Sequence, residues 1–457
     1  MNFKIRKSYL GLFFWITIVF LSIGTSAFLF LENTETVYKN IWILPMIYGI
    51  LTIISLNMYQ KNILKIQYLI PLAYLFIRHV VSPFFMEITQ YISYFNHIDR
   101  SDVNKGIILM SIETIFIFGS LIFISRRAPK ISENSARLNI SRYGIMPILL
   151  ATMGLLITIS FTAFPAFLDR FKSIYNFNRT GVFIDNTDFF GFERIIFTLT
   201  FFIFPWFRFL TTIYLFFRFS TAFNNKKIGL LLSVALIAVN GFFMEGANGL
   251  FLIYNIVFLL SLIRIYPNYS KKIFAIAGFI SVIFLFSIII QKTANYNTSN
   301  SIDDVSLLLQ SYMPGVPNFA GIFNTRIFTK AEFFKGDILS MIPFNNYLFG
   351  TNHIRLVIPY TVQNNALSQI LPFSGQNFIY FGVFFPFLTI ATILIGVNTL
   401  NKAYKTNDLI LFSTLCLSGL FFIMAPGFYN ITILGERFFS IILPSYLIAK
   451  ISKYNLR

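Results

Sequence analysis

Charge is scarce in this chain. Only 12% of its 457 residues are Asp, Glu, Lys or Arg, where a soluble domain carries about a quarter. Cysteine is nearly absent: the one residue, Cys416, lies inside an apolar run. That excludes an intrachain disulfide and any cysteine-built metal site. The Gly-rich phosphate loop, the zinc-ligand spacing and the nucleophile elbow of soluble enzymes are all missing. No internal repeat, low-complexity run or linker marks a second domain.

What the chain has instead is apolar length. Hydrophobic residues make up 56% of it, Phe alone contributes 59, and the mean hydropathy is +0.70. Apolar runs of about 20 residues recur from end to end, which is the signature of transmembrane helices. The pattern predicts an all-α polytopic membrane protein, a single integral domain over 1–457. About twelve helices are expected, at 9–31, 41–59, 66–86, 106–125, 144–166, 195–219, 228–243, 250–264, 273–290, 376–398, 409–427 and 438–450. The first follows a basic start and is longer than a signal-peptide core, so it reads as a retained membrane helix.

The formal charge of +18 reports topology before it reports a nucleic-acid partner, and none is expected. With both termini placed in the cytoplasm, 21 Lys and Arg residues fall on that side and 13 on the other, although the outer loops are longer. The positive-inside rule favours that arrangement. Fifteen of the 18 acidic residues then lie outside. Two outer loops are enlarged, 167–193 and 291–375, and connections of such length are usually functional. Short helices lying on the membrane surface are expected within the second.

These loops hold the candidate chemistry. The first carries Arg170 and Arg179, the second Arg326, His353 and Arg355, and the last outer loop ends in Arg437. Arginine stays charged in any setting and binds phosphate bidentately. A cluster of arginines at the outer leaflet suits a lipid-linked pyrophosphate. His353, with amides around it and Arg355 two residues on, is the candidate general base. Glu245, in a short outer turn, is the reserve. No Asp-x-Asp or Glu-x-x-His stands at an outer-loop boundary, and no metal or other cofactor is expected. Within the helices, Arg78 beside His79, Glu113 and Arg208 are costly charges. Arg78 and Glu113 are expected to pair, and Pro205 to open the helix that carries Arg208.

In this arrangement the chain resembles the bacterial polysaccharide repeat-unit polymerases, the Wzy family, which build O-antigen and capsule. Arg170 to Gly181 reads R-x10-G, a motif of their third outer loop. "LPFSGQNFIYFGVFFPFL" looks like their re-entry into the membrane, and "GERFFSIILPSYL" like their terminal Arg-aromatic helix. The second enlarged loop departs from the pattern: eleven residues after Arg326 stands Asp337, and eleven after Arg355 stands Ala366, where glycine would complete the motif. The resemblance implies a metal-independent glycosyltransferase in the bacterial cytoplasmic membrane. Its donor would be an oligosaccharide on undecaprenyl pyrophosphate, with Arg326, Arg355 and Arg437 on the pyrophosphate and Arg170 and Arg179 guiding glycan or lipid phosphate. A flippase and a chain-length regulator are the implied partners. The strongest rivals are a repeat-unit flippase and an O-antigen ligase; short, even loops would mark the flippase, and these loops are strongly uneven.

Overall fold

The computed structural model describes residues 2–32, 36–62, 66–91, 93, 95, 98–127, 146–167, 190–240, 248–273, 275, 301–325, 330–342, 344, 354–364 and 371–451. Among them the chain is helical, with no strand. Eight stretches are long and apolar enough to cross a membrane, and they begin at Leu12, Tyr68, Arg100, Met146, Gly191, Phe373, Leu409 and Ile431. The polytopic all-α reading therefore holds. The expected helix at 273–290 lies almost wholly outside the described residues.

The helices used below are α1 (Asn2–Glu32), α2 (Ile43–Asn62), α3 (Ile66–Phe76), α4 (Ser82–Ile88) and α5 (Arg100–Arg127). They continue with α6 (Met146–Ala163), α7 (Gly191–Ala222), α8 (Lys226–Asn240) and α9 (Asn248–Ile265). The long connection holds α10 (Ser301–Tyr312), α11 (Val316–Asn324), α12 (Lys330–Ser340) and α13 (Val357–Gln363). The C-terminal part holds α14 (Phe373–Phe381), α15 (Phe385–Lys405), α16 (Leu409–Phe428), α17 (Ile431–Arg437) and α18 (Leu443–Ile451).

Lipid gives helices no hydrophobic reason to associate, so close backbone approach and polar contacts do that work. The tightest pair, α15 and α16, shows both. A Cβ on Gly396 would stand 2.7 Å from the Gly419 carbonyl oxygen, and one on Gly419 would stand 2.9 Å from that of Gly396. Asp408 caps α16 by accepting from the Leu411 N–H at 2.8 Å. Arg264, at the end of α9, lies 4.2 Å from the Phe412 ring centroid. It donates to the Ala403 and Thr406 carbonyls and so satisfies the C-terminal end of α15. Pro205 does not open its helix, and α7 runs through it unbroken.

The crossing expected at 376–398 falls within the apolar stretch Phe373–Lys405, which carries a break. The run at 376–398 is not a single straight helix. Ser374 Oγ lies 3.1 Å from Thr389 Oγ1, whereas fifteen residues of straight helix would part them by about 22 Å. The chain reverses at Gly382, with φ +55° and ψ −128°, a conformation that side chains with a Cβ strongly resist. Thus α14 folds back along the start of α15, and the two form a helical hairpin.

The long connection is also more deeply set than expected. All residues from Val316 to Ile322 in α11 are buried, and the helix packs along α5. A second hydrophobic core gathers there, separate from the larger core of the bundle. It joins the end of α1, the start of α2, the start of α5, and Phe319, Leu356, Tyr360 and Leu371 of the connection. Tyr360 is buried and donates to the Asn318 carbonyl at 3.0 Å, and burial raises its phenol well above the ordinary range. In α11 seven consecutive buried residues cover every side of the helix, so no face is left for water.

Replacing Gly382 by Ala should cost about 1–3 kcal/mol, the usual size of such backbone strain. It is read as a lowered unfolding midpoint of the purified protein; an unchanged midpoint would count against the hairpin.

Candidate functional site

Helix α14, "FSGQNFIYF", interrupts a strongly apolar run with Ser374, Gln376 and Asn377, and all three are buried. Each needs a partner, because an unsatisfied polar group in the interior costs a few kcal/mol. Ser374 and Gln376 find partners on elements remote in sequence, and two polar clusters result; Asn377 is buried with neither side-chain atom hydrogen-bonded among the described residues.

The first cluster lies within the bundle. Between α3 and α4 the chain makes a π-helical turn, Ile77–Val81, a device often found at functional sites. It presents Arg78 and His79 inward. Arg78 Nη2 donates to Glu113 Oε2 at 2.5 Å with both side chains fully buried, as the sequence predicts. The second carboxylate oxygen accepts from the Ser374 hydroxyl of α14. The Arg78 guanidinium also lies over the Phe319 ring of α11, 4.6 Å from its centroid. His79 is accounted for locally. Its Nδ1 is 3.1 Å from the Leu75 carbonyl, so that nitrogen carries the proton, and Nε2 is 2.6 Å from the Thr114 hydroxyl.

The second cluster lies at the face where the long connection folds. Its centre is Asp337, on α12 and 1% exposed. One carboxylate oxygen accepts from the Leu356 N–H at 3.3 Å. The other accepts from Gln376 Nε2 at 2.6 Å and from the Tyr380 hydroxyl. Gln376 Oε1 in turn accepts from the Ile431 N–H at 2.6 Å, the first residue of α17. One turn along α12, Ser340 accepts from Arg355 Nε at 2.8 Å. The following residue, Met341, packs on Gly435, where a Cβ would stand 2.3 Å from Met341 Cγ. Two residues further along α17 comes Arg437, half-buried, ahead of a second π-helical turn, Phe438–Ile442. Asn430 holds the start of α17, accepting from the Ile433 N–H at 2.8 Å.

The structure therefore brings the Arg355 side chain and the helix that Arg437 ends, α17, to the same end of α12. Among the other sequence-predicted site residues, Arg170, Arg179, Glu245, Arg326 and His353 lie outside the described residues. Arg208 packs against the Phe204 and Tyr254 rings, at 5.8 and 5.5 Å. Sequence reasoning passed over Asp337, Gln376 and Ser340. Its available signal was local: an acid and amides inside stretches that are otherwise apolar.

A half-buried guanidinium keeps N–H groups for an anion while its stem is held by packing. Arg355, held at Nε, can turn its terminal nitrogens to the oxygens of a phosphate or pyrophosphate. The buried carboxylate of Asp337 does not compete for that anion. Its hydrogen bonds run to neutral groups and fix the frame around the arginines.

Removing one partner of the buried pair, as in Glu113→Gln, should destabilise the protein by about 3–5 kcal/mol. Replacing both, Arg78→Met with Glu113→Leu, should restore much of that loss. Thermal unfolding of the single and double variants checks this, and an additive double variant would contradict the pairing. Compared with family models, curated proteins and solved structures, the chain has no match.

Proposed function

We propose that the chain polymerises lipid-linked oligosaccharide repeat units on the outer face of a bacterial cytoplasmic membrane, making O-antigen or capsular polysaccharide. It has twelve crossings and cytoplasmic termini in this reading, which rests on the excess of Lys and Arg in the short connections. The face with the long connection is then the outer one. The observation that carries the proposal is that Arg355, in the folded long connection, is held at Nε by Ser340 at the end of α12, where α17, the helix that Arg437 ends, packs on Met341.

The chemistry is a glycosyl transfer. A hydroxyl of the acceptor unit attacks the anomeric carbon of the donor sugar. The new carbon–oxygen bond forms as the bond from that carbon to pyrophosphate breaks, and the hydroxyl proton passes to a base. Undecaprenyl pyrophosphate leaves with the bonding pair. Charge grows on the pyrophosphate oxygens as it departs, and fixed cations stabilise that growth more than they stabilise the bound substrate. Arg355 and Arg437 have this role, with Arg326 as a third donor. His353 is the base, with Glu245 in reserve, and Arg170 and Arg179 guide the glycan.

In a strain lacking the gene, single repeat units should still reach the cell surface, and the long-chain ladder should vanish from a glycan gel. Lipid-linked units trapped on the cytoplasmic side, with none at the surface, would mean a flippase instead. Arg355→Ala and Arg437→Ala should each lower polymer formation about 10- to 100-fold, the size of a lost hydrogen bond to a charged group. Full ladders in both variants would remove the arginines from the site.

A further inference from the structure

We infer that Asp337 is a positioning residue that sets the spacing of Arg355 and Arg437, and so shapes the site for a diphosphate; the diphosphate part rests on the function proposed above. The inference begins from where this carboxylate sits. It is almost fully buried, on a helix of the long connection. Its hydrogen-bond partners are three neutral groups from two other segments, at Leu356, Gln376 and Tyr380. A carboxylate buried in that way is expensive, and three good donors offset the expense only if all are held in place.

Two of those bonds lead toward an arginine, and the third, from Tyr380, fixes the carboxylate to α14. The Leu356 N–H belongs to the residue after Arg355, so Asp337 pins the backbone there. Ser340, three residues on and on the same side of α12, holds the Arg355 side chain at Nε. The bond from Nε leaves the terminal nitrogens of the guanidinium to face a ligand. Gln376 carries the connection to the other arginine. Its amide donates to Asp337 and accepts from the Ile431 N–H at the start of α17, the helix that Arg437 ends. The amide has one orientation that satisfies both neighbours. Asp337 selects it, because a carboxylate accepts only a donor.

This makes the effect of Asp337→Asn specific. The asparagine side chain must set its own NH2 against one of the three donors. Either Leu356 or the pair from α14 loses its acceptor, or Gln376 turns and its NH2 faces the Ile431 N–H. In each case one of the two ties to the arginines is released. The volume of the side chain is unchanged, so packing is preserved and the loss is one of placement. Small displacements of charged groups that grip a reacting phosphate are costly in rate and affinity.

Two measurements on the purified full-length protein test the inference. Spin labels at the exposed positions Ile354 and Phe439 flank the two arginines. They are introduced as Ile354→Cys and Phe439→Cys with Cys416→Ser. The expected distance distribution is narrow in this background, broad with Asp337→Asn, and narrow with the control Glu332→Gln, an exposed acid on the same helix. A narrow distribution with Asp337→Asn overturns the inference. The second measurement is the affinity for undecaprenyl pyrophosphate in lipid nanodiscs. Asp337→Asn should weaken it about 10-fold or more, but should change little in a protein that already carries Arg355→Ala and Arg437→Ala. A broad distribution with unaltered affinity overturns the diphosphate part. A wild-type protein that binds no undecaprenyl pyrophosphate counts against the glycosyltransferase reading, while the spin-label distances still decide the role of Asp337.

Discussion

A carboxylate buried in a membrane protein has to be satisfied on every side, and Glu113 meets that demand with groups from three parts of the chain. Arg78 neutralises it from a π-helical turn, Ser374 hydrogen-bonds it from the hairpin, and Phe319 of the long connection covers the guanidinium. None of the three elements can leave without exposing or orphaning a charge. The pair is weak evidence of net stability, since desolvation offsets much of the attraction. Its effect is on arrangement: it ties α11 and α14, both remote in sequence from α5, to fixed places on that helix. Everything at the loop face is built on those two.

The second node repeats this logic one step further out. Asp337 satisfies its charge with neutral donors, and each donor lies on an element whose position then follows. The two nodes share α14, which offers Ser374 to Glu113 and Gln376 and Tyr380 to Asp337. A short helix of nine residues thereby transmits the rigidity of the bundle to a connection of the kind that is ordinarily mobile. Binding groups on such a connection are useful only when their geometry is fixed in advance.

Much of this was legible in the sequence. Apolar length gave away the class, because only helices and closed barrels satisfy their backbone in lipid. The Arg78–Glu113 pair was legible because isolated charges at membrane depth need partners. The hairpin was not. Residues 376–398 read as one apolar run, and hydropathy does not see a single backbone angle at Gly382. The burial of α11 was hidden for a related reason: "GVPNFAGIF" is too short to show whether one face or all faces are apolar. Asp337 was passed over because its partners lie far along the chain, at 356, 376 and 380. The arginines it serves stood out only as residue types suited to phosphate.

The central claim, that Arg355 and Arg437 serve the departure of a lipid pyrophosphate, is tested most directly by reconstitution. The purified protein is placed in vesicles with lipid-linked repeat units extracted from a strain lacking the gene. Released undecaprenyl pyrophosphate and new glycosidic linkages are then counted together. The account predicts one of each per event, with the lipid-linked glycan growing by whole repeat units. Lipid-linked units that cross the bilayer with no linkage formed and no pyrophosphate released would contradict it.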